Sequence, residues 1–291
     1  MAYSPRADER FSPFIASESS EENLAELPAG WEAAQHLQRL RKTLAPGRAL
    51  QRITESAIDA VLQRARSLLR HASRPTRAVV DAWPAEGELD VDATLEQPPS
   101  HKNRRFPYDP KDIVVNRREP RDADVCAILD LSLSMTGEKV ALTAVAVAIL
   151  HMKLDRVGVV AFDTDAHRVV PIGSDLPIRE VIRRVLTVPT HGYTHISAGL
   201  EMGLDELQRS RRRERVGLLL SDGVANVGWD PVNVARRFPC LHVVQMGRDL
   251  PAGTRACRNL AVAGRGRRFH APTYLALPTV IKRVIRELFR V

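Results

Sequence analysis

The sequence predicts an α/β fold preceded by a smaller, mainly helical region, and three observations carry that expectation. From about residue 121, short apolar runs of strand character alternate with stretches of helical periodicity, the order that builds a largely parallel sheet covered by helices. At three points where a strand or loop hands over to a helix, the chain places oxygen-bearing side chains. These are Asp130-Leu131-Ser132-Leu133-Ser134, Thr194 within His191-Gly192-Tyr193-Thr194-His195, and Asp222 within Ser221-Asp222-Gly223. With 291 residues, 44% of them hydrophobic, the chain can bury one large core and a smaller one.

Residues 1–28, rich in Ser, Glu and Pro, read as a flexible arm tacked to the body by Phe11, Phe14 and Ile15. Residues 29–82 read as a helical hairpin region. Leu37, Leu40 and Leu44 recur at helical spacing, Pro46-Gly47 breaks the run, and Ile53, Ala57, Val61, Ala65 and Leu68-Leu69 form a second stripe. Arg64, Arg66, Arg70, Arg74 and Arg77 crowd the end of that second helix, where cations complement the helix dipole. Residues 83–120 read as a connecting segment with short strands. Gly87 to Glu96 alternates apolar and acidic residues as an edge strand does, Pro98-Pro99 ends it, and a basic run follows at Lys102, Arg104 and Arg105. Asp90, Asp92 and Glu96 read as solubilising charges.

Residues 121–291 form the α/β domain. Strands are expected at Val125–Asp130, Val157–Phe162, Val169–Val170, Val216–Leu220, Leu241–Val244 and Phe269–His270. Helices are expected from about Gly137, over Leu176–Leu186 with Arg179, Arg183 and Arg184 outward, over Ser197–Gln208 up to Arg211-Arg212-Arg213, at Pro231–Arg237, Pro251–Ala261 and Leu277–Phe289. The helix after Gly137 is apolar on most sides and so is expected to be central.

Charge is unevenly spread. Residues 1–120 carry 18 basic and 18 acidic side chains, and residues 121–291 carry the other 25 and 17, so the net charge of +8 lies wholly in the α/β domain. That suits an acidic protein or a nucleic acid as partner. Cys126, Cys240 and Cys257 show neither a disulfide framework nor zinc spacing. Met1 to Phe11 has no apolar core of a signal peptide, and no run approaches the ~20 apolar residues that span a bilayer. A cytoplasmic protein without membrane contact is expected. His191 and His195 stand four apart but lack a third nitrogen or sulfur ligand, and no phosphate-binding G-x-x-x-x-G-K-[ST] occurs. Gly264-Arg265-Gly266-Arg267-Arg268 is a basic turn.

The hydroxyls and carboxylates at residues 130–134, 194 and 222 are hard-oxygen donors suited to Mg²⁺ or Mn²⁺. As an ordered three-part set they resemble the metal-ion-dependent adhesion site of von Willebrand factor A (VWA) domains, over about residues 121–291. The resemblance implies a doubly wound, mostly parallel, Rossmann-like sheet with the ligand loops at the carboxyl ends of the strands. It further implies Ser132, Ser134 and Thr194 as hydroxyl ligands, with Asp130 and Asp222 as carboxylates acting through bound water. Leu133 and Tyr193 stand where the family commonly has Gly, and add bulk at the rim.

The function implied is protein binding rather than catalysis, with Mg²⁺ bridging to an Asp or Glu of the partner. The segment ahead of the first strand is loosely similar to that of cytoplasmic CoxE-like VWA proteins, which implies a MoxR-type AAA+ ATPase as co-worker. Two alternatives stand beside this reading. One is nucleic-acid binding by the basic face of the VWA domain. The other is a chelatase-type accessory subunit, since Ser221 to Val227 resembles a loop of magnesium-chelatase D subunits, although their AAA+-like domain and acidic linker are missing here.

Overall fold

The computed structural model describes residues 28–70, 76–79, 88–89, 91–96, 112–117, 123–132, 137–189 and 192–288. The arm with Phe11, Phe14 and Ile15, the basic run at residues 102–105, Arg74, Asp90, Ser134 and His191 lie outside the described residues. By its internal contacts the chain divides into two compact units, residues 70–121 and the remainder.

The larger unit is built on a six-stranded sheet. Its strands are β4 (Ala123–Asp130), β5 (Val157–Phe162), β6 (Ala166–Val170), β7 (Glu214–Ser221), β8 (Leu241–Met246) and β9 (Arg265–Ala271), in the spatial order β6-β5-β4-β7-β8-β9. All pairings are parallel except β5–β6, a hairpin closed through Asp163-Thr164-Asp165. All eight residues of β4 and all six of β5 and of β8 are buried. That explains their unbroken apolar runs, because a parallel strand covered on both faces needs no polar alternation. Within β4 the pleat sends Val125, Ala127 and Leu129 into one core and Cys126 and Ile128 into the other.

From β4 the chain winds one way to β5 and β6, and from β7 the other way to β8 and β9. The order therefore reverses between β4 and β7, and a crevice opens beyond their carboxyl ends, the place where open α/β sheets bind ligands. The expected doubly wound, mostly parallel VWA-like fold is observed, with helices α1 (Gly30–Thr43) and α2 (Arg48–Arg70) ahead of it.

One face of the sheet is covered by α4 (Glu138–Lys153), α5 (Ile178–Thr187) and α9 (Leu277–Leu288), the other by α6 (Ile196–Gln208), α7 (Pro231–Ala235) and α8 (Pro251–Ala263). Every residue of α4 from Val140 to Leu150 is buried. The sheet alone would bury one stripe; α1 packs on α4 and α5 from outside and closes the rest. The first two helices therefore share the core of the α/β domain. Leu37, Leu40, Ile53, Ala57, Val61 and Ala65 are each at most 5% exposed. Each large aliphatic side chain among them contributes about 1.5–3 kcal/mol by leaving water.

Arg179 and Arg183, expected on the outer side of their helix, in fact turn to α2. Arg179 bonds Asp59 and, at 2.7 Å, Glu55, while Arg183 reaches Glu55 at 2.5 Å and Glu180 at 2.6 Å. The two arginines hold the Glu55 carboxyl below its usual range. The pairs are 36–64% exposed, so each contributes at most about 1 kcal/mol and serves orientation more than stability.

The smaller unit holds a three-stranded antiparallel sheet, β1 (Thr76–Val79), β3 (Val114–Arg117) and β2 (Glu88–Leu89), in the order β1-β3-β2, and a short helix α3 (Val91–Leu95). Two expectations are corrected here. The Gly87–Glu96 stretch is strand only at Glu88–Leu89 and then turns helical, closed by Glu96 N–H donating to the Asp92 carbonyl at 3.0 Å. Over so few residues, alternation and helical periodicity both fit. Arg77 lies on β1 and not at the end of the preceding helix, which stops at Arg70.

Candidate metal centre

The crevice between β4 and β7 gathers the loops that leave the strands. Asp130 is the last residue of β4, and Ser221 the last of β7. Asp130 is 3% exposed, and its two carboxylate oxygens are separately engaged. Oδ1 accepts the Ser132 N–H at 3.1 Å, and Oδ2 accepts the Ser221 hydroxyl at 2.8 Å. Burial pushes its carboxyl up to about 6, against the pull of the hydrogen bonds from Ser221 and Ser132, and the charge of Asp222 raises it further.

Ser221 holds the crevice on both sides: its hydroxyl oxygen also accepts the Gly223 N–H at 3.1 Å. Asp222 folds over its own loop, Oδ1 accepting the Val224 N–H at 2.9 Å. Gly223 has φ +83°, and a Cβ there would stand 2.6 Å from both Cys257 Sγ and the Gly253 carbonyl. Only glycine allows α8 to close against the aspartate loop.

Thr194 is 7% exposed and precedes α6 on a loop fastened to two neighbours. On the β5 side, His195 N–H donates to the Asp163 carbonyl at 2.8 Å and Tyr193 N–H to Thr164 Oγ1 at 2.9 Å. On the β7 side, Asn226 N–H donates to the Thr194 carbonyl at 3.1 Å. The loops after β4, β5 and β7 and the loop before α6 are therefore knit together.

The structure brings Asp130, Ser132 and Asp222 into one cluster and lashes the Thr194 loop to it, while Ser134 falls outside the described residues. Sequence reasoning passed over Ser221, Asp163 and Thr164, which set the positions of the others. Their adjacency to Asp222 and to the tight turn after β5 was the available signal. His195 serves loop packing: Nδ1 lies 3.1 Å from the Thr164 carbonyl, and its ring meets Trp229 edge-on at 4.9 Å.

The donor set fits a hard divalent cation. Two carboxylates and the hydroxyls of Ser132 and Thr194 are all oxygens. Among the described residues no three His, Cys, Asp or Glu side chains are grouped to hold a metal, so a cation here depends on the hydroxyls. Burial, with Asp222 and Asp130 nearby, pushes the Cys257 thiol up to about 12.

Around the crevice, large apolar side chains face solvent: Tyr193 is 61% exposed, Trp229 51%, Leu250 57% and Val224 40%. Tyr193, Val224 and Trp229 sit on the same loops as the oxygen donors and Leu250 on the loop from β8 to α8, so the polar cluster has an apolar rim.

The fold is that of a VWA-like α/β domain. The family model for the von Willebrand factor type A domain matches residues 125–224, the span from β4 through the Asp222 loop. No curated protein matches the sequence. Among solved structures, the chain is similar to proximal thread matrix protein 1 of the mussel byssus, with 18% identity, 56% of this chain and 46% of that one covered, and a TM-score of 0.50. The chain thus spans about half the length of that protein. It is also similar to the conserved hypothetical protein BatB of Bacteroides thetaiotaomicron (18% identity, 58% and 98% covered, TM-score 0.48). A further match is the vWF domain of the type V pili tip protein Mfa5 of Porphyromonas gingivalis (13% identity, 59% and 96% covered, TM-score 0.49). At these identities the likeness is one of fold.

Proposed function

We propose that the chain is a cytoplasmic, metal-dependent protein-binding adaptor and not an enzyme. Asp130, Ser132, Ser134, Thr194 and Asp222 would hold Mg²⁺, with Mn²⁺ as a substitute, and an Asp or Glu of a partner protein would complete the site. The observation that carries this reading is the cluster of hard-oxygen side chains at the switch point of the sheet, ringed by Tyr193, Val224, Trp229 and Leu250. When bound, the cation would supply an electron-poor centre that attracts a carboxylate, because the protein offers it hydroxyls beside few charges. The chain's own residues do the rest. Ser221 and the Ser132 N–H orient Asp130, the Asn226–Thr194 bond positions the threonine loop, and the exposed rim supplies the apolar contact that protein interfaces concentrate at their centre.

The adaptor reading extends to a MoxR-type AAA+ ATPase as co-worker. It is supported by the sequence likeness of the segment ahead of β4 to CoxE-like proteins. Among the described residues, no helix is long and apolar enough to cross a membrane.

The test is affinity capture from native extract with wild type and Asp222→Ala, each in Mg²⁺ and in EDTA. A protein retained by wild type in Mg²⁺ alone is the expected result, with an AAA+ protein beside it. Equal retention in all four arms refutes the metal-bridged reading.

A further inference from the structure

The metal site uses the carboxyl end of the sheet. At the opposite end the chain enters β7, β8 and β9, which are mutually parallel, so the three entrances lie side by side. They are zipped together: Gly217 N–H donates to the Cys240 carbonyl at 2.9 Å, and Leu241 N–H to the Gly264 carbonyl at 2.8 Å. Six exposed arginines stand on them. Arg209, Arg211 and Arg213 lie between α6 and β7, Arg236 and Arg237 before β8, and Arg265 at the start of β9. Arg265 ties two entrances together, Nη1 donating to the Phe238 carbonyl at 2.8 Å.

Few acids offset them. Among the described residues no carboxylate forms an ion pair with Arg211, Arg213, Arg236 or Arg237. Arg209 approaches Glu206 only to 3.8 Å, and that carboxylate is already held by Arg168. Asp205 and Glu214 are the exposed acids beside the α6–β7 loop.

Helix dipoles explain only part of the patch, through Arg209 and Arg236, the C-cap residues of α6 and α7. Cations are favoured within the last turn of a helix, but α6 ends at Gln208 and the Arg211–Arg213 triplet lies beyond it. Two further features mark this end. Arg265 is left-handed, at φ 57°, the one non-glycine so held among the described residues, and such strain persists where the surroundings enforce it. Arg215, near the start of β7, has a buried Nε without a hydrogen-bond partner.

We propose that this amino-terminal end of the sheet is a second binding surface, for the phosphate backbone of a nucleic acid. Guanidinium forks match phosphate and carboxylate alike, so the surroundings decide between a nucleic acid and an acidic protein. Protein interfaces centre on apolar and aromatic anchors. At this end, Val262 is the one large apolar side chain exposed among the described residues, whereas the metal end has four. Among the described residues no aromatic side chain is exposed here to stack on bases, so recognition is of backbone and independent of sequence.

The test measures binding of a fluorescein-labelled DNA duplex and of its single strand by anisotropy, from about 50 to about 200 mM salt. Wild type should bind both, with affinity falling steeply with salt and unchanged by EDTA or by Asp222→Ala. Reversing four charges (Arg211→Glu, Arg213→Glu, Arg236→Glu and Arg237→Glu) should lower affinity about tenfold or more. It should also flatten the log–log salt slope by up to about 3.6, at about 0.9 per lost phosphate contact. The matching four-lysine variant keeps the charge and should keep the slope, which separates charge loss from misfolding. The proposal is overturned if the glutamate variant binds like wild type, or if EDTA abolishes binding. It is equally overturned if poly-L-glutamate binds as tightly as DNA, which would assign the surface to an acidic protein.

Discussion

The two ends of the six-stranded sheet share one backbone and differ in chemistry. At the carboxyl end the chain leaves the strands for helix N-termini, and the side chains there are Asp130, Ser132, Thr194, Ser221 and Asp222, with apolar neighbours. At the amino end it arrives from helix C-termini, and six exposed arginines outnumber the exposed acids Asp205 and Glu214. Part of this polarity is generic: exposed helix N–H groups favour carboxylates and exposed carbonyls favour cations. The remainder is particular to this chain. The carboxyl end lies at the reversal of strand order, where a crevice can form, while the amino end of β7, β8 and β9 has no reversal and presents a ridge of charge. Topology offers each end a different kind of partner, and composition fills in the chemistry.

The comparison breaks most visibly at Asp222. Asp222→Ala should abolish metal-dependent partner retention and leave salt-sensitive DNA binding unchanged, measured on one preparation. Loss of both would mean that the two ends are not independent. A smaller effect is expected at the rim. Trp229→Ala or Tyr193→Ala should weaken the captured partner by about 2 kcal/mol, roughly 30-fold, through the off-rate, because exposed aromatics beside a polar centre are typical interface anchors. An unaltered off-rate in both variants would confine partner recognition to the metal.

Gly228→Ala probes the loop that carries the rim. Gly228 sits at φ +94°, and an added Cβ would enter the His195 ring, so a loss of about 1–3 kcal/mol in urea unfolding is expected. Gly47→Ala, between α1 and α2, meets nothing closer than 3.9 Å and should be neutral or stabilising by up to about 1 kcal/mol. Similar losses in both would deny the close packing of the rim loop.

The mildest expected effect is one of pH. Burial holds His242, on β8, and His151, on α4, below the usual histidine range. In the unfolded chain each takes up a proton near pH 6.5, whereas in the folded protein each stays neutral to lower pH. The stability that these two histidines contribute above pH 6.5 should therefore decline as pH falls through that value, against the opposite trend of Asp130, whose raised carboxyl takes up its proton near 6, so the histidine part is read between pH 7.5 and 5.5 as the difference in urea midpoint between wild type and His242→Asn. His242→Asn should remove part of that dependence; an unchanged pH profile would show that His242 is not the cause.

Much of the α/β domain was legible in the sequence. The strand at Val157–Phe162 falls where the apolar run places it, and the other strands of the large sheet differ from expectation mainly in their ends. Buried parallel strands have no polar alternation to blur them, and helices with one apolar stripe announce their period. The Gly87–Glu96 stretch was not legible, because a two-residue strand followed by a five-residue helix is too short for either period to show. The outward reading of Arg179 and Arg183 failed for another reason. Their partners Glu55 and Asp59 lie more than a hundred residues away in sequence, and nothing local to α5 points to them.

By itself, the sequence determined the kind of elements, the α/β class and the identity of the oxygen-bearing residues at the ends of β4 and β7 and before α6. Each of these is written in neighbours a few residues apart. The tertiary structure alone decided that Asp130 shares its two oxygens between Ser132 and Ser221, and that α1 packs over α4 and α5 while α2 shares their core. It alone brought arginines from three separate loops to one end. Those relations join residues that are distant in the chain, and side-chain patterning carries no record of which distant surfaces meet until the sheet order is set.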